Sequence, residues 1–160
     1  MTLADVLQFP DSLRITLRDA NTSEPISKIA VTLVVFTKRR NNYYLGLPLS
    51  DSNGNTEITK TWVENAIGYL RNTFIMDYSS TLKECLPKIM LDIMSSEQIA
   101  RAKTAMKLHG AERGGLDIAY TISDLEITNN KYFEQQKVYV TLDAVGAPNK
   151  SIEINLRKLG

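Results

Sequence analysis

The sequence predicts an α+β fold: an antiparallel β-sandwich with three helices inserted between its N-terminal and C-terminal strands. Three observations carry this. The first third alternates apolar and polar residues with a period of two, the middle third steps by three and four, and the last third returns to two. At 160 residues the chain fits one domain, with a β portion at 12–60, a helical insertion at 61–110 and a second β portion at 115–158.

In LRITLRD, Leu13, Ile15 and Leu17 alternate with Arg14, Thr16 and Arg18, which makes a strand with one apolar face. Asp19 to Pro25 (DANTSEP) is a cluster of turn formers. The run IAVTLVVF, from Ile29 to Phe36, is β-branched and apolar on both faces, so it belongs in the centre of the sheet. A polar loop from Thr37 to Asn42 leads into YYLGLPL, where Pro48 cannot donate a ladder hydrogen bond; that strand lies at an edge or ends early. In DSNGNTEIT, Asn53-Gly54 between extended segments signals a two-residue hairpin, and TEITKT continues as strand.

The period then changes. Val63, Ala66, Ile67, Leu70, Phe74 and Tyr78 share one face of an amphipathic helix, with Thr61 and Glu64 spaced as a capping box at its start. A second helix is expected over LKECLPKIMLDIM, starting at Thr81 or at Pro87, with nearly every position from Ile89 to Met94 apolar. A third starts near Ser95 or Ser96 and stops at Gly110, where a left-handed cap is permitted. Beyond it, Leu116, Ile118, Tyr120 and Ile122 alternate in one strand. Val138, Val140 and Leu142, then Ile152, Ile154 and Leu156, form an expected terminal hairpin around Gly146 to Asn149.

Composition narrows the function. Hydrophobic residues at 43% and charged residues at 23% describe an ordinary globular chain, and no run approaches the ~18 apolar residues of a spanning helix. The N-terminal MTLADVLQFPDS shows neither a basic leader nor a long apolar segment, so the expected compartment is cytoplasmic. Nineteen basic and eighteen acidic residues, evenly mixed, argue against an electrostatic nucleic-acid or membrane binder. Cys85 is the single cysteine, which excludes an internal disulfide and a multi-cysteine metal site. Asn21-Thr22-Ser23 and Asn149-Lys150-Ser151 match the glycosylation pattern, which means little without a signal peptide.

Each candidate chemical site competes with an ordinary structural role. DSNGNTEIT resembles a calcium loop at Asp51, Asn53 and Asn55, but Thr56 stands where the motif needs glycine and Trp62 where it needs glutamate. A turn is the better reading. His109, the single histidine, lies before Gly110 in a last helical turn, where a cation suits the helix dipole, and no G-x-S-x-G elbow occurs. Cys85 sits in an apolar stretch without an activating base, and Glu112-Arg113-Gly114-Gly115 lacks the lysine of a phosphate loop. Lys38, Arg39 and Arg40 precede Tyr43 and Tyr44, a basic run with aromatics nearby, but no second patch supports nucleic-acid binding. Met76, Met90, Met94 and Met106 give the insertion four of the five methionines, and flexible thioethers suit an adaptable contact surface; packing against the sheet is the simpler role.

Asp19, Pro25, the apolar run Ile29 to Phe36, Asp51 and Gly54 occur in the order of a repeated pattern: strand ending in Asp, polar turn, Pro, long strand, then Asp-x-x-Gly. Over residues 12–59 the chain thereby resembles transthyretin-like and carboxypeptidase-regulatory-like β-sandwiches. The resemblance implies a seven-stranded sandwich used as an accessory or binding module. The hydrolase branch of that group needs histidines near its first strand and a characteristic C-terminal tetrapeptide; here the histidine is His109 and the chain ends RKLG, so that activity does not carry over.

The fold expectation is therefore a transthyretin-like or immunoglobulin-like sandwich. The functional expectation is a non-enzymatic interaction or structural subunit of a larger assembly, its partner another protein or a second copy, with no cofactor and no membrane. Contacts would run through the insertion, around Met76, Met90, Met94 and Met106, or through sheet edges. The competing expectation is an enzyme or small-ligand binder with a pocket between insertion and sandwich, where Glu64, Asp77 and Tyr78 are candidates by location.

Overall fold

The computed structural model describes residues 2–38, 43–64, 82–95, 97–99, 116–117, 128–142 and 148–160. Its described part is α+β, with two mostly antiparallel sheets and short helices. The chain begins with α1 (Leu3–Leu7), which the sequence reading missed although its signal is local: Thr2 and Asp5 form a capping box. The Thr2 backbone N–H is the leading cause that holds the Asp5 carboxyl below its ordinary pKa. Leu3, Ala4 and Leu7 point into the core.

Three strands form one sheet in the order β4 (Asn55–Thr59), β1 (Ser12–Asp19), β8 (Asn149–Leu156). β1 runs antiparallel to β4 and parallel to β8, with Ser12 opposite Asn149 and Asp19 opposite Leu156. The second sheet has the order β6 (Leu116–Asp117), β3 (Tyr43–Gly46), β2 (Thr32–Thr37), β5 (Cys85–Ile93), β7 (Gln136–Val140). As the apolar run suggests, β2 is central, and β3 ends two residues before Pro48.

β5 corrects the expected second helix, and it lies inside the stretch assigned to a helical insertion. Apolar side chains on consecutive positions suit a strand buried on both faces as well as a buried helix, and periodicity cannot separate the two. Two flanking strands supply the ladder partners: Ile89 faces Val35 on β2 and Val140 on β7. Pro87 is accommodated because the register shifts there, with Thr37 opposite Cys85 and Val35 opposite Ile89. Only Phe36 faces the stretch from Leu86 to Lys88, so the proline occupies a bulge where no ladder bond is required.

The terminal hairpin is corrected too. β7 pairs with β5 and β8 pairs with β1, so consecutive strands enter different sheets. Helical residues at 60–64 confirm a helix start, but its cap is the Thr59 hydroxyl, which accepts the Trp62 N–H at 3.1 Å, in place of Thr61. Residues 82–84, at the start of the expected second helix, are helical before β5 begins, and Ser95 begins a further helical stretch as expected, its hydroxyl accepting the Gln98 N–H. The bodies of the first and third expected helices, and the strand beyond Asp117, lie outside the described residues.

One hydrophobic cluster takes side chains from both sheets: Leu13, Ile15, Leu17, Ile58, Ile154 and Leu156 from the first, and Leu33, Val35, Leu45, Ile89, Leu91 and Val140 from the second. The opposite faces differ. On the three-stranded sheet that face is polar, with Arg14 on Glu57, Arg18 on Glu153 and the Thr16 hydroxyl donating to the side-chain Oδ1 of Asn55. On the five-stranded sheet, Thr32, Val34, Met90 and Asp92 are buried as well. β2 and β5 are thus apolar on successive positions because both of their faces are covered.

Candidate functional site

The Asp51 stretch is a backbone turn. Its carboxylate accepts the N–H groups of Asn53 and Asn55, each at 2.9 Å, and its carbonyl accepts the Gly54 N–H. Asp51 N–H in turn donates to the Asn55 carbonyl, closing a three-residue loop with the left-handed residue at Gly54, φ +78°. This differs from the two-residue hairpin expected from Asn53-Gly54, and the strands before and after the turn, β3 and β4, belong to different sheets. Asp19 repeats the device: one carboxylate oxygen accepts the Asn21 and Thr22 N–H groups.

The other flagged residues scatter. Cys85 is buried, and burial pushes its thiol up to about 11, with the Glu84 carboxylate adding to the rise. A thiolate nucleophile is not favoured there. Met90 lies on the covered face of β5 and is only 7% exposed. Met94 is partly buried against Ala30 and Ile99. Lys38 is exposed, its N–H donating to the Glu84 carbonyl. Glu64 is half-buried and helical. Met76, Met106, Arg39, Arg40, Asp77, Tyr78, His109 and residues 112–115 lie outside the described residues.

Sequence reasoning missed the most exposed aromatic among the described residues. Tyr139 on β7 is 67% exposed, and its ring stacks on Phe36 of β2 with centroids 6.2 Å apart and planes 12° from parallel. The Lys88 ammonium stands 5.4 Å from the Phe36 centroid, a cation–π distance. β7 is the last strand of its sheet among the described residues. Its inward-phase Val138 packs on the core cluster and stays partly exposed. An available signal was the alternation itself, which puts Tyr139 on the phase opposite Val138 and Val140.

A polar row crosses the same sheet, with Thr32, Asp92 and Lys137 in register on β2, β5 and β7. Asp92 is 8% exposed; burial raises its carboxyl pKa, and the Lys137 charge partly offsets that rise.

Two open grooves flank the segment after β8. One, about 580 Å³, is lined by Ser23, Glu134, Gln136, Asn155 and Arg157 among others; the second, about 480 Å³, by Asp19, Pro25, Tyr132, Phe133 and Lys158 among others. Phe133 and Lys158, which line the second groove, pair in an isolated bridge, and a 3-10 turn at Asn130–Tyr132 precedes it. Buried Asn130 anchors that turn. Its side-chain carbonyl accepts the Ala30 N–H at 2.8 Å, and its amide donates to the carbonyls of Ala30 and Met94. No helix of the described residues is long and apolar enough to cross a membrane. No family model, curated protein or solved structure matches the chain.

Proposed function

We propose that the chain is a non-enzymatic interaction or structural subunit that meets another protein, or a second copy of itself, along the β7 edge. The observation that carries this reading is Tyr139: a large aromatic two-thirds exposed, braced by Phe36, on the strand that ends its sheet among the described residues. Tyrosine is enriched among residues that dominate binding energy, and an open strand edge offers backbone groups to a partner strand. Stacking on Phe36 limits the ordering entropy that Tyr139 would lose on binding. A sandwich of the transthyretin-like or immunoglobulin-like kind agrees with the shared core of the two sheets and with the seven strands that the described residues form besides the two-residue β6.

Size-exclusion chromatography with light scattering and affinity capture tests the proposal on the full chain. The wild type is expected to self-associate or to retain a protein partner, and Tyr139→Ser to weaken that association about tenfold or more with the fold unchanged. A wild-type chain that stays monomeric at high concentration and retains no partner overturns the reading. The second reading, a small polar ligand, rests on the groove of about 580 Å³ where Glu134, Asn155 and Arg157 converge. Arg157→Ala would then abolish ligand-induced thermal stabilisation and leave assembly intact.

A further inference from the structure

We propose that Asn53 is a site of non-enzymatic modification, cyclising with Gly54 and opening to isoaspartate, and that the Asp51 turn guards it while the chain is folded. Asn53 is exposed at the tip of the turn, and Gly54 presents a backbone nitrogen unhindered by a side chain. In the reaction the Gly54 nitrogen attacks the Asn53 side-chain carbonyl carbon. A new C–N bond forms, the amide C–N bond breaks, and ammonia departs with the proton of the attacking nitrogen. Water then opens the succinimide at either carbonyl to give aspartate or isoaspartate. Asparagine is among the thermolabile residues for this reason.

The folded turn works against the first step. The Gly54 N–H that must lose its proton donates to the Asp51 carbonyl at 2.9 Å, and the Asp51 carboxylate pins the flanking N–H groups of Asn53 and Asn55. Reaction therefore waits on local opening. The product does not fit back. Isoaspartate lengthens the backbone by one methylene directly before Gly54, whose carbonyl accepts the Leu17 N–H at 2.8 Å. No slack exists there, because a Cβ on Gly54 would collide with the Leu17 carbonyl oxygen and press on Pro25. Modification at Asn53 thus marks chains that have opened and detaches β4 from the end of β1.

Incubation of the full chain at mildly alkaline pH, native and in urea, with peptide mass mapping and isoaspartyl methyltransferase labelling, provides the test. The native protein is expected to convert at Asn53 at least about tenfold more slowly than the unfolded chain. Asp51→Ala is expected to raise the native rate about tenfold, and Asp51→Asn, which keeps an acceptor oxygen, to raise it less. Asn53→Ser removes the signal. Equal rates in native and unfolded wild type overturn the proposal, as does a folded Asp51→Ala with the wild-type rate, or a signal that survives in Asn53→Ser. Should Asp51→Ala fail to fold, the native-against-urea comparison still decides.

Discussion

Gly54 combines a left-handed backbone, φ +78°, with a close approach to the Leu17 carbonyl, two demands that only glycine meets together. Gly54→Ala is expected to lower the unfolding free energy by about 2 kcal/mol or more, read as a reduced urea midpoint. Cys85 gives a pH-dependent expectation. Its thiol rises from 9.0 to about 11 on folding, so the folded state keeps the proton longer than the unfolded state does. The stability contributed is fully present below pH 9 and is lost as pH climbs towards 11, by up to about 2 kcal/mol. Cys85→Ala should flatten that stretch of the alkaline unfolding profile, and the native thiol should resist a disulfide reagent at pH 8 that modifies the unfolded chain. Asp51 and Asp19 were legible as turn residues because an Asp carboxylate acts on amides within three or four positions of itself. Asn130 was not legible, since the backbone it holds at Ala30 lies 100 residues away.

Among the elements, strands with one covered face were the easiest to read. β1 alternates cleanly because its second face is solvated, and the same alternation locates the inward residues of β7 and β8. β5 was misread because its second face is buried too, which erases the period of two. The strand assignment has a direct check. Pro87→Ala is expected to change stability by less than about 1 kcal/mol, because the bulge asks no ladder bond of that position, whereas a residue in mid-helix would gain about 3 kcal/mol from the change. Leu91→Ala, in the paired part of β5, is expected to cost about 2–5 kcal/mol in urea unfolding.

At the scale of the whole molecule, the described chain is closed by its ends. β8 lies parallel to β1 along all eight residues of each strand, and it supplies Ile154 and Leu156 to the common core. Deletion of residues 149–160 is expected to abolish cooperative unfolding followed by circular dichroism and amide exchange, because β1 would lose its neighbour and the core two of its buried side chains. If the shortened chain still unfolded cooperatively with unchanged exchange protection in β1, the closing role of β8 would be wrong. The sequence by itself determined β1, β2 and β4, the two Asp turns, and the early end of β3, since each rests on a period or on hydrogen bonds spanning a few residues. Tertiary structure alone decided that Cys85–Ile93 is a strand, that β7 and β8 enter different sheets, and that β8 joins β1 in parallel. Those outcomes depend on which strand offers its unpaired N–H and C=O groups to which neighbour, a match made between segments up to 137 residues apart that leaves no local pattern to read.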